Sequence, residues 1–143
     1  MKYTLFLSLT ILVSCSSKLI KNPQQMTIKQ QISQGLNVSL KDETITESLD
    51  FTQLVQLIDQ NNVSKQAVVE SNLYFQGCTF KKPVLGYSKS TDFSEITAQF
   101  QGTVAFINCK FESEVNLKYA TFSRPVDFSN STFKKKANFQ DAT

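Results

Sequence analysis

The sequence contains no histidine and no tryptophan. Histidine is the commonest general base and the commonest metal ligand near neutral pH, so its absence removes the usual serine–histidine and cysteine–histidine nucleophile pairs. No other arrangement of nucleophile and base can be argued from the residues present. We therefore expect a protein that is not an enzyme and that has no catalytic residues, no bound metal and no cofactor.

A strong excess of charge is also missing. The net charge is +3 over 143 residues, and it falls to +2 when the segment that contains Lys2 is removed. Proteins that bind nucleic acid through its phosphates usually carry a much larger excess of lysine and arginine, so we expect no nucleic-acid partner. The hydrophobic content of 41% and the charged content of 19% are typical of one ordered domain.

The apolar segment near the N-terminus is too short to cross a membrane. It runs from Leu5 to Val13 and is interrupted by Ser8 and Thr10, whereas a spanning helix needs about 20 apolar residues. A charged start followed by a short apolar stretch is typical of a secretory signal peptide. We predict that residues 1–14 are this signal peptide.

The end of the segment, Leu12-Val13-Ser14-Cys15, resembles the lipobox of bacterial lipoproteins. The resemblance implies cleavage before Cys15, a diacylglycerol on its thiol and an acylated amine, which together give firm membrane attachment. Residues 15–26 then form the lipidated cysteine and a polar tether. No aspartate follows Cys15, as in lipoproteins sent onward to an outer membrane. We expect a location in the cell envelope, on the periplasmic side of the outer membrane.

Phenylalanine is over-represented, with 12 copies, and it recurs at a regular spacing in the second half of the chain. With Leu117 filling one gap, the steps from one large side chain to the next alternate between five and six positions. Neither an α-helix nor a plain strand has this period. The large positions are Phe106, Phe111, Leu117, Phe122, Phe128, Phe133 and Phe139.

A small or modest side chain precedes each large one by two residues, and the residue between them is polar in every unit but the first. This alternation is strand geometry that lasts three residues. Two or three turn-forming residues separate the units, so the pattern predicts short strands joined by tight corners into a coil. The small positions are Val104, Cys109, Val115, Ala120, Val126, Ser131 and Ala137.

These units resemble the pentapeptide-repeat family, with ATF at 120–122, VDF at 126–128, STF at 131–133 and ANF at 137–139. The resemblance implies an all-β fold, a right-handed β-helix with four sides, over residues 36–143. We expect it to be irregular to about residue 97 and regular from about residue 98. The extra residue in alternate units departs from the strict family pattern and implies a bulged corner on alternate faces.

A short helix over residues 27–35 is expected to cap the first coil. Thr27 and Gln30 match a capping box, and Gly35 favours the end of the helix. The inward side chains of the first coil are predicted to be Val38, Leu40, Ile45, Leu49 and Phe51.

Two interruptions are predicted to be loops, at residues 56–66 and 86–92. Long loops on solenoids are common binding places, although most are simple insertions. At the C-terminus, Ala142-Thr143 begins another unit. Either the chain is a fragment of a longer solenoid or its last coil is open. An open coil has unpaired backbone groups, so it predicts self-association through this edge.

Cys78 and Cys109 both occupy the small inward position. Their separation in the sequence corresponds either to a coil and a half, which places them on different faces, or to one coil plus a loop, which stacks them. A disulfide needs the two Cα atoms within about 7 Å, so only the second case permits one.

Charged side chains cluster at predicted corners. Glu112 and Glu114 form a carboxylate pair that Asp127 can join across a turn, but without histidine they predict a solvated corner rather than a metal or acid–base site. Residues 134–136 are three lysines. They predict a charged corner that discourages aggregation, with anionic lipid headgroups as the alternative partner.

These observations predict a membrane-anchored, non-enzymatic lipoprotein whose β-helix binds or scaffolds an unknown protein partner in the cell envelope. The family suggests an alternative, because some pentapeptide-repeat proteins resemble duplex DNA and bind type II topoisomerases. The basic charge and the export signal of this chain disfavour that role. A hydrolase acting on envelope polymers would need a cleft, which a filled rod does not offer.

Overall fold

The computed structural model describes residues 26–61 and 63–143. The predicted signal peptide, Cys15 and the tether up to residue 25 lie outside the described residues. From residue 38 onward the chain winds into four coils of short strands. This winding follows from the sequence, because inward side chains at every second position alternate with turn-forming residues at a fixed spacing.

Helix α1 (Ile28–Ser33) precedes the first coil. Thr27 Oγ1 accepts a hydrogen bond from the backbone N of Gln30 over 3.2 Å, and Gln30 Oε1 accepts one from the backbone N of Thr27 over 3.1 Å. The predicted capping box is therefore confirmed. Ile32 is buried against the core, and Gly35 follows the helix with a φ of +69°.

The first two coils combine short strands with longer excursions. The first coil contains β1 (Val38–Lys41), β2 (Thr44–Ile45), β3 (Leu49–Asp50), helix α2 (Phe51–Leu54), β4 (Leu57–Asn61) and β5 (Ser64–Val69). The second coil contains β6 (Leu73–Gln76), β7 (Thr79–Phe80), β8 (Val84–Leu85), β9 (Tyr87–Lys89) and β10 (Glu95–Phe100).

The last two coils contain only short strands and corners. The third coil contains β11 (Val104–Ile107), β12 (Lys110–Phe111), β13 (Val115–Asn116) and β14 (Thr121–Phe122). The fourth contains β15 (Val126–Asp127), β16 (Thr132–Phe133) and β17 (Ala137–Asn138).

Strands of successive coils pair in parallel and form four faces. The first face is β1-β6-β11-β15, the second is β2-β7-β12-β16, the third is β3-β8-β13-β17 and the fourth is β5-β10-β14. The expected all-β fold with four sides is confirmed. On the fourth face, the backbone N of Thr143 donates to the carbonyl O of Ala120 over 3.0 Å, so the chain has started this face of the fourth coil at its last residue.

The corners explain why the steps between large side chains alternate between five and six positions. At the corner between the first and second faces, two residues separate the inward side chains, and the second of the two has a positive φ in every coil. At the next corner, between the second and third faces, three residues separate them. The expected alternation of corners is confirmed. Aspartate, asparagine and glycine adopt positive φ at the least cost, and they are the residues used here: Asp42, Gly77, Asn108 and Asn130.

The phenylalanines stack from coil to coil inside the helix, as predicted. On the first face, the ring of Phe106 is stacked between Phe75 and Phe128, with centroids 5.1 Å and 5.2 Å away. On the second face, Phe111 is stacked between Phe80 and Phe133, at 4.9 Å from each. The predicted inward set of the first coil is also confirmed, since Val38, Ile45, Leu49 and Phe51 are buried and Leu40 packs against them.

The predictions of loops at residues 56–66 and 86–92 are wrong. The first segment contains β4 and the start of β5, which form an antiparallel hairpin. The second contains β9, which pairs antiparallel with β10. Both excursions satisfy their backbone hydrogen bonds by forming hairpins that extend the fourth face sideways. The two hairpins join through the pairing of β5 with β10, which lies one coil later in the sequence.

Candidate binding surface

The chain leaves the coil twice at the same corner, between the third and fourth faces. The first excursion contains α2 and β4, and the second contains β9. Strand β4 pairs antiparallel with β5, β5 pairs parallel with β10, and β10 pairs antiparallel with β9. We call this four-stranded lateral extension, in the order β4-β5-β10-β9, the flange.

Helix α2 fills the inner side of the flange. Asp50 Oδ1 caps this helix by accepting hydrogen bonds from the backbone N of Thr52 over 3.1 Å and from its Oγ1 over 2.6 Å. Ser88 Oγ, on β9, donates to Thr52 Oγ1 over 3.0 Å. The ring of Phe51 meets that of Phe100 edge-on at 5.0 Å. The inner side is therefore packed, and the outer side and the tip are the accessible parts of the flange.

The outer side carries an aromatic cluster around one lysine. Lys118 Nζ lies 4.3 Å from the ring centroid of Tyr119 and 5.2 Å from that of Tyr87, within cation–π range. The two rings meet edge to face at 5.9 Å. Hydrogen bonding with Tyr119 raises the pKa of Lys118, so the lysine keeps its charge. The cluster presents a preassembled combination of aromatic and cationic groups.

The cluster is attached to the flange through a partly buried hydroxyl. Tyr87 Oη donates to Glu95 Oε1 over 2.9 Å. Burial and this bond raise the pKa of the Tyr87 hydroxyl, which therefore stays protonated. Ile58 on β4 pairs with Gln66, Gln66 pairs with Thr97, and Thr97 pairs with Tyr87. Ile58 and Tyr87 therefore lie in one row across the flange, so the outer side also has an apolar end.

The tip of the flange is organised by one carboxylate. Asp92 Oδ1 accepts hydrogen bonds from the backbone N of Ser94 over 3.0 Å and from its Oγ over 2.6 Å, and Ser90 Oγ donates to the same oxygen. Asp92 Oδ2 accepts from Lys65 Nζ over 3.1 Å. The hydroxyl of Ser90, then the hydroxyl and backbone N of Ser94 and the ammonium of Lys65, hold the pKa of Asp92 well below its usual range. The Asp92 carboxylate thus joins the turn between β9 and β10 to strand β5 of the β4–β5 hairpin.

Two apolar side chains project from this tip. Phe93 is 85% exposed and has a φ of +64°, and Val63 is 67% exposed. The turns that carry them are adjacent, because the backbone N of Glu95 donates to the carbonyl O of Val63 over 2.9 Å. Sequence reasoning missed these residues. The available signal was the alternation of side chains in residues 64–69 and 95–100, which is strand-like beyond the three residues of a repeat unit.

Asp127 does not join the carboxylate pair of Glu112 and Glu114. Glu112 Oε2 accepts from Lys81 Nζ over 2.6 Å and Glu112 Oε1 accepts from Lys110 Nζ over 2.8 Å, and these bonds lower its pKa to about 2. Asp127 lies on the first face and accepts from the backbone N of Ser129. Across residues 26–61 and 63–143, no group of three metal-ligating side chains is close enough to hold an ion.

The charged corner between the second and third faces alternates in sign from coil to coil. Lys81 and Lys82 occupy it in the second coil, Glu112 and Glu114 in the third, and residues 134–136, all lysines, in the fourth. Opposite charges in neighbouring coils attract, as the ion pair of Lys81 with Glu112 shows. This corner therefore presents no continuous charge of one sign.

The two cysteines lie one above the other on the second face. The backbone N of Lys110 donates to the carbonyl O of Cys78 over 2.9 Å, which places Cys109 directly beside Cys78. Of the two spacings considered, one coil plus a loop is therefore the correct one. Both thiols are free and buried. Burial raises the pKa of Cys78 and raises that of Cys109 to about 11, so neither is a reactive thiolate.

An apolar cup of about 590 Å³ lies at the open end of the fourth coil. Phe128, Phe133 and Phe139 line it, and the ring of Phe139 is 37% exposed. The outer edges of β15, β16 and β17 have no strand partner among the described residues. The cup combines apolar side chains with unpaired backbone groups.

The predicted lipid attachment site, Cys15, is outside the described residues. Within the part of the chain that the structure describes, no helix has the length and apolar character needed to cross a membrane.

The fold defines a class of protein, the solenoids that are four-sided parallel β-helices with coil-to-coil aromatic stacks. The family model described as pentapeptide repeats, with nine copies, matches residues 96–143. Residues 96–143 therefore match pentapeptide repeats, which confirms the resemblance seen in this part of the sequence. Such proteins are generally non-enzymatic structural or binding modules. No curated protein sequence and no solved structure matches the chain.

Proposed function

We propose that this protein is a lipid-anchored, non-enzymatic binding or scaffold module of the bacterial cell envelope, located on the periplasmic side of the outer membrane. The observation that carries the proposal is the sequence Leu12-Val13-Ser14-Cys15 at the end of a short apolar segment. Acyl chains on Cys15 hold the protein at a membrane. The β-helix serves as the rigid support of a binding surface.

The flange is the proposed binding surface for a protein partner. Tyr87 on its outer side contacts Tyr119 and Lys118 at the neighbouring corner of the third coil, and aromatic residues are enriched where proteins bind one another. The cluster is held by the Tyr87–Glu95 hydrogen bond, so little side-chain entropy is lost when a partner binds. Support for a binding role rather than catalysis comes from the sequence, which has no histidine, and from the pairing of Glu112 with two lysines.

Membrane fractionation with intact-mass measurement tests the anchor. Wild-type protein is expected to start at Cys15, to carry the mass of a diacylglycerol and an acylated amine, and to pellet with membranes. The Cys15→Ala variant is expected to lack the lipid mass and to lose the processed N-terminus. The matched control is Cys78→Ala, which removes a buried thiol and leaves lipidation unchanged.

An unprocessed wild-type chain that stays in the soluble cytoplasmic fraction would contradict the proposal. The topoisomerase-binding alternative would then be the next one to test. Two features weigh against it: a DNA-like surface needs continuous acidic charge, whereas the net charge is +3, and the corner between the second and third faces alternates in sign.

We also propose that the chain of residues 1–143 self-associates through the uncovered edge of its fourth coil. The cup lined by Phe128, Phe133 and Phe139 buries apolar surface when a second copy covers it, and the unpaired edges of the last strands offer backbone hydrogen bonds. Light scattering of the lipid-free chain is expected to show a mass that rises with concentration, and Phe139→Ser is expected to reduce this rise. A constant monomer mass at high concentration would contradict self-association.

A further inference from the structure

Three of the most exposed apolar side chains in the described chain lie on the flange. Folded proteins usually keep such side chains scattered, so their grouping on one projection indicates a function. Phe93 and Val63 are at the tip, and Ile58 is on the neighbouring strand β4. Elsewhere among the described residues, the exposed large hydrophobic side chains are Tyr74 and Phe139.

The turn that carries Phe93 is built to keep its ring exposed. A positive φ is rare for a bulky residue because the Cβ atom approaches the neighbouring carbonyl oxygen. The turn is held by the bonds of Asp92 with Ser90 and Ser94, and the backbone N of Phe93 donates to the carbonyl O of Ser90 over 3.0 Å. The Lys65–Asp92 ion pair ties the turn to the hairpin that carries Val63. The turn that carries Phe93 is therefore held by several hydrogen bonds, and the side chains of Phe93 and Val63 are both exposed.

A lipid bilayer fits this tip better than a protein does. A specific protein interface buries about 800 Å² on each partner, whereas the tip offers two apolar side chains on two adjacent turns. The headgroup region of a bilayer accepts single aromatic and aliphatic side chains, and each adds to the affinity of a protein that is already anchored.

The length of the tether also places the tip near a membrane. The segment between Cys15 and Thr27 spans at most about 40 Å even when fully extended. The flange is built from the first and second coils, which directly follow helix α1. The end of the β-helix that carries the tip is thus the end closest to the anchor along the chain.

The charges at the tip are paired. Lys65 forms an ion pair with Asp92, and Lys89 Nζ lies 3.9 Å from Glu95 Oε1. Electrostatic attraction to anionic headgroups is therefore weak, and the apolar side chains supply the interaction. Binding is expected on vesicles of zwitterionic phosphatidylcholine.

We propose that Phe93 and Val63 insert into the interfacial region of the bilayer that anchors Cys15 and thereby set the orientation of the β-helix on the membrane. This inference rests on the lipid anchor of the proposed function. With the tip inserted, the outer side of the flange and the four-sided rod are held at a fixed angle to the membrane.

The test uses the full, lipidated chain in phosphatidylcholine vesicles that contain spin-labelled lipids. A Val63→Cys variant carries an environment-sensitive fluorophore, and Lys135→Cys, on the exposed corner of the last coil, carries the same label as the control. Cys78 and Cys109 are buried and stay unlabelled. Quenching by the spin-labelled lipids is expected to be several-fold stronger at position 63 than at position 135, with a blue-shifted emission.

A second variant separates insertion from simple proximity. Phe93→Ser in the Val63→Cys chain is expected to return the quenching at position 63 to the level of position 135, while the protein still floats with the vesicles. Equal quenching at positions 63 and 135 in a chain that floats would overturn the insertion of the tip and leave the anchor standing. A blue shift at position 63 that appears only with added envelope proteins would also overturn it, in favour of a protein partner. Failure to float, with no lipid mass, would instead contradict the anchor.

Discussion

The Phe106→Ala variant is expected to lose about 3–5 kcal/mol of unfolding free energy. Its ring is 1% exposed and is stacked between Phe75 and Phe128. It also meets Phe80 and Phe111 edge to face, at 5.6 Å and 5.5 Å. The rings around it are held by backbone ladders above and below, so they cannot collapse into the space, and the cavity remains. Urea unfolding followed by circular dichroism measures the loss.

The matched control is Phe139→Ala, which removes the same side chain from the fourth coil. Its ring is 37% exposed and has partners on one side, at Phe128 and Phe133. We expect a loss of less than half that of Phe106→Ala, because less apolar area returns to water. Equal losses in the two variants would show that the stacks do not determine stability.

The Gly102→Ala variant is expected to be destabilised by about 3 kcal/mol, the upper end for overpacked interiors. A Cβ atom at this position would lie 2.3 Å from the carbonyl O of Ser71 and 2.9 Å from the backbone N of Asn72, in the coil below. These are backbone atoms, and they are fixed by the corner: Asn72 Oδ1 accepts from the backbone N of Thr103 over 2.8 Å. The second and third coils would have to separate locally.

Gln101→Ala is the control for this change, because it places the same alanine at the neighbouring exposed position, where the backbone already accommodates a Cβ atom. A surface substitution of this kind is expected to change stability by no more than about 0.5 kcal/mol. Thermal unfolding by calorimetry compares the two. Unfolding of Gly102→Ala at the same temperature as Gln101→Ala would contradict the close approach of the two coils at this corner.

The regular half of the β-helix could be predicted because its determinants are local. Each unit carries its own small and large inward residues, and turn formers such as Asn108 and Asn130 adopt the positive φ that the short corners need. Stacking of Phe106 on Phe128 then follows, because two short and two long steps complete one coil. The capping box of Thr27 and Gln30 is local in the same way.

The flange could not be predicted on the same grounds. Residues 56–66 contain a run of polar side chains that is typical of a loop, yet the hairpin they enter is stabilised by pairing of Ser64 with Glu95, which lies one whole coil later in the sequence. The exposure of Phe93 could not be predicted from the sequence either, because a phenylalanine in a phenylalanine-rich repeat is expected to point inward. Only the turn formed by Ser90, Asp92 and Ser94 directs it to solvent.

By itself, the sequence determined the repeat, its inward and outward positions, the alternating corners and the helical cap, since all of these depend on residues a few positions apart. Its composition also excluded histidine chemistry. The tertiary structure alone decided that both excursions leave at one corner and join into the flange, that Cys78 and Cys109 stack, and that Glu112 is bound by lysines from two coils. These features depend on which coil lies beside which, and that depends on the total length of each excursion rather than on any local pattern.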